Sequence, residues 1–329
     1  MAQDESPTQQ SVGVAAARRL SATTKTVPHM VAITPRWLLK LLPWVAVTAG
    51  TYRVNRTKNQ DTPRDDYSEL PVEVKSGHEG EPDLPETFVD YEKDSREYAL
   101  SLVQTIVRLH TRVSDLYNDP INQLEQQLRL TIEGMKEIQE WELINNREFG
   151  LLPAVAPPMR IQPRQGSPTP DDLDELLSLV WKQPAFFIAH PRAIAAFGRE
   201  CTWRGVPPPT VQMFGSPFLT WRGVPLVPCD SLEINRRSRS RQGAGTTNIL
   251  LVRVGEKEQG VVGLHQPGIP GEISPSLSMR LMAINQKAVA SYLLTLYFSC
   301  AVLTEDALGV LENVEVGNYH DYGKRPQKP

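Results

Sequence analysis

Six histidines, three cysteines and a knot of four carboxylates are the residues of this 329-residue chain that could do chemistry. The histidines are His29, His78, His110, His190, His265 and His320. They include no i,i+3 or i,i+4 pair, and none lies beside a cysteine in sequence. Zinc sites usually announce themselves through such spacings. A site assembled only in space stays open. Cys201, Cys229 and Cys300 are widely separated and form no C-x-x-C, a pattern that fits a reducing compartment without a disulfide framework. Cys229, between Pro228 and Asp230, reads either as a reactive thiol or as a partly buried structural cysteine, and the second reading is favoured. Asp171, Asp172, Asp174 and Glu175 crowd the start of a helix, where they offset its dipole before they suggest a metal. There is no G-x-G-x-x-G, P-loop, G-x-S-x-G or H-E-x-x-H, and Ser11–Val14 and Gly260–Gly263 are too loose to cradle phosphate. The sequence therefore assigns no catalytic residue, no cofactor-binding residue and no metal ligand, and the chain is not read as an enzyme.

What remains is architecture. Hydrophobic residues make up 40% and charged residues 22%, the balance of a foldable chain, and the net charge of −3 argues against a nucleic-acid binder working by bulk positive charge. The 28 prolines exceed the usual ~5% and imply many fixed turns and long loops. The polar first ten residues show no signal peptide. Two apolar stretches fall short of membrane spans. Val31–Gly50 is broken by Pro35, Arg36, Lys40 and Pro43, and Ala288–Leu303 is shorter than the ~20 residues a bilayer needs.

The element around which the rest is organised is a helix over Asn118–Asn146. Asp119 can cap it and Pro120 fits its first turn. Apolar residues at Ile121, Leu124, Leu128, Ile132, Met135, Ile138, Trp141 and Ile144 give one stripe, and Glu125, Arg129, Glu133, Lys136, Glu137 and Glu140 give the other face. At 1.5 Å per residue it would be about 40 Å long, a strut with nothing catalytic on it.

Around it, residues 1–28 read as a polar tail with a weak helical patch at Val12–Leu20. Thr34-Pro35 caps a short helix over Arg36–Leu42. Thr48–Thr57 is a strand, and 58–86 is a charged excursion. Asp94–Glu97 resembles a capping box, but the β-branched run Leu102–Val107 predicts a strand over Glu97–Val113. Paired with Thr48–Thr57, it would make a long two-stranded finger. An isolated hairpin is marginal in water, so such a finger expects a neighbouring subunit. Further on, Pro153–Gly166 connects to a helix begun by Thr169-Pro170-Asp171-Asp172. Ala185–Ala189 is a buried strand, and Pro191–Trp203 is a helix. The hexapeptide Thr202–Pro207 recurs as Thr220–Pro225, which predicts two similar Arg-Gly turns. An Arg-rich loop spans 236–245. Strands follow near Asn248–Val254, Gly260–His265, Ser276–Ile284 and Ser291–Leu303, then a closing segment Thr304–Val314 and a loose tail after Gly317.

Several segments resemble the shell proteins of the Family 2A encapsulins. They are Leu84–Tyr91, Val113–Tyr117, Gln126–Glu133, Pro168–Leu173, Ala195–Glu200, Gly205–Pro209 and Gln259–Leu264. The resemblance covers roughly residues 12 to 322 and implies an α+β chain with the tailed-phage major capsid (Hong Kong 97-type) fold. It implies an N-terminal arm with the short helix (1–47), an E-loop (48–113) and a peripheral domain with the strut as spine helix (114–152). An axial domain (153–247), return strands of the peripheral domain (248–317) and a C-terminal tail (318–329) would follow. It further implies a closed icosahedral shell of roughly sixty copies in the cytoplasm. The shell would enclose a cysteine desulfurase held through the cargo's disordered N-terminal segment and would serve sulfur metabolism and storage. Pyridoxal phosphate would belong to that cargo, and neither nucleic acid nor a membrane span is implied. The turn Arg204, Gly205, Val206, Pro207 is the candidate pore-edge loop, with a plain surface turn as the other reading. A phage capsid proper, or an enzyme using Cys229 or His190, are the competing readings.

Overall fold

The structure, a computed structural model, describes residues 34–48, 50–55, 95–110, 123–236 and 245–320 with positions 86, 91 and 93, and omits the side chains of 110 and 123–126. The expected arm, nearly all of the excursion 58–86, the Asn118-Asp119-Pro120 helix start, the interior of the Arg-rich loop and residues 321–329 lie outside the described residues.

The chain enters at α1 (Trp37–Leu41), which buries Trp37 and Leu38. Its start is not capped by Thr34-Pro35. Arg36 is the N-cap, in the left-handed region at φ 51°, with no side-chain capping bond. Next come β1 (Trp44–Ala46), β2 (Thr51–Val54), β3 (Arg96–Ala99) and β4 (Ser101–His110), then the strut α2 (Gln123–Asn145) and the short α3 (Leu151–Ala154). The β-branched run at 102–107 thus prevails over the capping-box pattern before it. β5 (Arg160–Ile161), α4 (Pro170–Leu179), β6 (Phe186–Ala189) and α5 (Pro191–Trp203) lead to β7 (Thr210–Met213), β8 (Ser216–Trp221) and β9 (Val224–Pro228). The return consists of β10 (Thr246–Val252), β11 (Val261–His265), β12 (Glu272–Ser274), β13 (Leu277–Ile284), β14 (Val289–Val302) and β15 (Leu308–Glu315). α4 begins at Thr169-Pro170 as expected, and the structure adds a capping box there. Thr169 Oγ1 accepts from the Asp172 amide at 3.3 Å, and the Asp172 carboxylate accepts from the Thr169 amide at 2.9 Å.

Two large sheets and the two-stranded ribbon β2–β3 divide these strands. The six-stranded sheet runs β1-β11-β14-β13-β12, with β4 also on β14, and the seven-stranded sheet runs β5-β15-β10-β6-β9-β8-β7. The late strands do not stay together after residue 247. β10 lies between β6 and β15 in the second sheet, while β11 to β14 build the first. β10 is buried at Thr246, Thr247 and Ile249–Val252, the pattern of a strand covered on both faces.

The finger over 48–113 also differs from expectation. β2 and β3 do pair antiparallel, from Thr51 opposite Ala99 to Val54 opposite Arg96. β4 then leaves the ribbon and pairs with β14 of its own subunit, from Ser101 opposite Phe298 to His110 opposite Val289. The reason lies in alternation: Val107 and Leu109 are buried in the main core, so this strand finds cover within the chain.

α2 packs on β4 and β14, but with a face rotated from the expected one. Met135, Gln139, Glu140, Leu143 and Ile144 are buried, whereas Ile138 and Trp141 point outward and are 46% and 40% exposed. The buried face includes an acid. Glu140, read from sequence as solvent-facing, is 1% exposed and has a guanidinium to meet.

Candidate assembly surfaces

Among the described residues, the candidates for chemistry are committed to structure, while His29, His78 and the side chain of His110 lie outside them. The three cysteines are buried, and burial pushes each thiol up to about 12. A thiol held so high is not a thiolate nucleophile at neutral pH. His190 N-caps α5, its Nδ1 accepting from the Arg192 amide at 3.0 Å. Burial and the neighbouring Arg192 lower its pKa. His265 meets Trp44 edge-on at 6.2 Å. The acidic quartet is likewise engaged. Asp172 closes the capping box. Asp174 accepts from Arg222 at 3.1 and 2.9 Å and from Trp221 Nε1 at 2.7 Å, and the Arg222 bonds hold its carboxyl below the usual range. Glu175 pairs with Arg164 at 2.5 Å, and Asp171 with Arg204 at 3.6 Å.

Glu140, Cys229 and Asp230 present ligand atoms within 4.8 Å of one another. The Arg36 guanidinium occupies this cluster. Nη1 lies 3.1 Å from Glu140 and 3.3 Å from Asp230, and Nη2 lies 3.4 Å from Glu137. Burial raises the Glu140 pKa, and Arg36 partly offsets it. The cluster is an ion-pair knot built round one shared cation that ties α1, α2 and the end of β9 together. Nearby, Asn145 Nδ2 donates to the Ser231 carbonyl at 2.8 Å.

The loop Arg204–Pro207 has a definite geometry. Arg204 is the C-cap of α5, with its side chain turned to Gln165 at 3.0 Å, Glu200 at 3.5 Å and Asp171. The Gly205 amide donates to the Thr202 carbonyl at 3.1 Å and the Val206 amide to the Cys201 carbonyl at 2.9 Å. With Gly205 at φ 77°, this is a Schellman stop. It leaves Val206 and Pro207 exposed. The repeated hexapeptide adopts a different form. At 220–225 it is the β8–β9 hairpin, with Arg222 at φ 49° and Gly223 at φ 87°, the double positive φ of a I′ turn. The two copies share an Arg-Gly positive-φ position, not a turn type.

The segment expected to be loose after Gly317 is fastened through residue 320. Arg199 donates from Nε to the Asn318 carbonyl at 3.0 Å and from Nη2 to the Val316 carbonyl at 2.9 Å, and its guanidinium lies over Tyr319. His320 stacks on Trp203 at 4.8 Å and meets Glu200 at 2.8 Å.

The remaining distinctive feature is uncovered apolar surface. Leu102 and Ile106 on β4, Leu281, Met282 and Ile284 at the end of β13, Val206, Val211 and Phe214 near β7, and the outward face of α2 are all exposed. The β13–β14 register shifts between Leu281 and Ala283, and every residue from Leu281 to Ile284 is exposed at this end of the sheet. Surface of this kind marks interaction sites.

The long helix on the six-stranded sheet and the separate seven-stranded sheet make up a fold shared with capsid-type shell proteins. The fold matches a solved structure of Microbacterium phage Oxtober96 at TM-score 0.57 and 12% identity, over 92% of this chain and 99% of that one. It also matches a native GTA particle capsid at TM-score 0.56 and 12% identity, over 89% and 95%. Residues 57–318 match the family model described as SrpI-like type 2A encapsulin shell protein. The type 2A encapsulin shell protein SrpI of Synechococcus elongatus is 59% identical over 93% of this chain and 95% of its own length. A type 2A shell protein of Mycolicibacterium paratuberculosis is 54% identical over 98% and 99%. The cryo-EM structure of the holo-SrpI encapsulin complex from Synechococcus elongatus matches at TM-score 0.79 and 55% identity, over 95% and 99%. The chain belongs to the type 2A encapsulin shell protein family.

Proposed function

We propose that copies of this chain assemble into a closed icosahedral compartment of roughly sixty subunits in the cytoplasm. The compartment encloses a cysteine desulfurase and serves sulfur metabolism or storage. The observation that carries the self-assembly is the bare end of β13 together with the exposed Leu102 and Ile106 of β4, apolar surface without cover, on a fold shared with shell proteins. The cargo part rests on the family resemblance. The cargo's N-terminal segment would engage the inner wall, and its pyridoxal phosphate would stay with the cargo enzyme. In this reading α2 is the spine of the peripheral domain. The ribbon β2–β3 is the root of the E-loop, and the seven-stranded sheet is the axial part, completed by β10 and β15. The Schellman stop at Arg204, Gly205, Val206 and Pro207 edges a pore that passes small polar solutes and excludes proteins.

The test is to express the chain alone and with a cysteine desulfurase carrying or lacking its N-terminal segment, then image the purified material by negative stain. Hollow megadalton particles that retain only the full-length desulfurase support the reading. A small oligomer that consumes cysteine unaided overturns it.

A further inference from the structure

α5 is held at its last turn from two sides. On one side is the C-terminal segment. It follows β15, which pairs with β10 and β5, so residues 317–320 leave from a fixed root. Asn318 Nδ2 donates to Glu200 Oε1 at 3.5 Å, and His320 Nε2 lies 2.8 Å from the same oxygen. On the other side is the loop. Arg204 Nε is buried, makes no hydrogen bond and faces Glu200 Oε2 at 3.5 Å. Glu200 itself is 4% exposed. One buried carboxylate is thus shared, with one oxygen toward the C-terminal segment and the other toward the residue that opens the loop. With little water to replace a lost partner, a change at one oxygen is felt at the other.

We propose that residues 317–320 form a strap that sets the position of the 204–207 loop through Glu200. The loop depends on the turn that the strap holds. Its Gly205 and Val206 amides both return to that turn, at Thr202 and Cys201, and the Arg204 amide returns to Glu200 at 3.0 Å. Val206 is 51% exposed, and an added Cβ at Gly205 would meet nothing within 4 Å. The chain is next fixed at Pro209, whose carbonyl accepts from the Thr220 amide at 2.8 Å. His320 closes the strap by stacking on Trp203, 14° from parallel. Arg199 fixes the near end by bonding the Val316 and Asn318 carbonyls. Lifting the strap would leave Glu200 to follow Arg204 and would free the loop to move with it. Glu200 and His320 are positioning residues in this account. The strap lies within one chain and does not depend on the loop edging a pore. At a pore edge, whatever lifts the C-terminal segment also changes the opening.

The test follows hydrogen exchange by mass spectrometry, on overlapping peptides across 191–209 and 310–325, in the full-length chain and two variants. In Asn318→Ala with His320→Ala, the Gly205 and Val206 amides should exchange about tenfold faster, as hydrogen bonds to a charged group are lost. The first turns of α5 should keep their rates. In Asn318→Ala with His320→Gln, whose side-chain amide can still donate to Glu200, most of that protection should return. Faster exchange confined to 316–320 would show a segment that only rests on α5 and would overturn the proposal. So would faster exchange throughout α5, which is general loosening. A Gln variant no better than Ala would take the coupling away from Glu200 and also overturn it. Particles and unassembled subunits serve equally, so a failure here leaves the shell reading untouched, and a failure of the shell reading leaves this measurement intact.

Discussion

Arg36 and Glu140 lie 104 residues apart in sequence, yet Arg36 Nη1 sits 3.1 Å from Glu140 Oε2 in the interior. The guanidinium is nearly buried and the carboxylate fully so. Removing one partner of such a pair strands the other charge without water, which typically costs about 3–5 kcal/mol. Arg36→Ala should therefore lower stability by that order, and Arg36→Ala with Glu140→Ala should cost less than Arg36→Ala alone. A double-mutant cycle read by denaturant unfolding checks this, and strictly additive single-mutant losses would contradict the knot.

Asp306 gives the acid limb of stability. Burial raises its pKa, but hydrogen bonds from Arg253, Thr304 and Lys182 outweigh that and hold it well below the usual carboxylate range. The folded pKa lies below the unfolded value of about 3.9, so the unfolded chain binds the proton first. The contribution is full above roughly pH 5 and disappears as pH falls through the folded pKa. The thermal-midpoint gap between wild type and Asp306→Asn should therefore be constant near neutrality and close below about pH 4. A gap that widens in acid would reverse the assignment.

Gly205→Ala isolates the stop at the end of α5. Nothing within 4 Å would clash with the added methyl, so the cost is the left-handed backbone alone, about 1–2 kcal/mol. Equilibrium unfolding should show a loss of that size. Gly205→Asn should lose less, because Asn tolerates this conformation better.

The bare end of β13 separates assembly from folding. Leu281→Glu with Ile284→Glu changes side chains already in water, so subunit stability should move by no more than about 0.5 kcal/mol per site. Particle formation should collapse to small species on size exclusion. Intact full-size particles from this variant would remove β13 from the interface.

Local chemistry was legible from the residues themselves. The helix start at Thr169, the β-branched strand at 101–110 and the strut all follow from patterns within a turn or two. What sequence could not show depends on distant partners. Ile138 and Trp141 fit an inward stripe by spacing, but the Arg36 that draws Glu140 inward is far away in sequence. The same distance hid the β10 and β15 pairing with β6 and β5. The Thr-Trp-Arg-Gly-Val-Pro copies diverge because one closes a helix and the other has β9 to pair with. For the candidate loop, type and position were readable, but the inward tether of Arg204 to Gln165 was not.

β14 pairs with β4 along one edge, while β11 and β13 follow one another along the other, so that Phe298 stands between Ser101 and His265. Traction applied at the outer end of β4 must therefore pass through the one continuous backbone of β14 before it reaches β11 or β13. A wall tiled from such panels should yield at the joints between tiles while each tile keeps its shape.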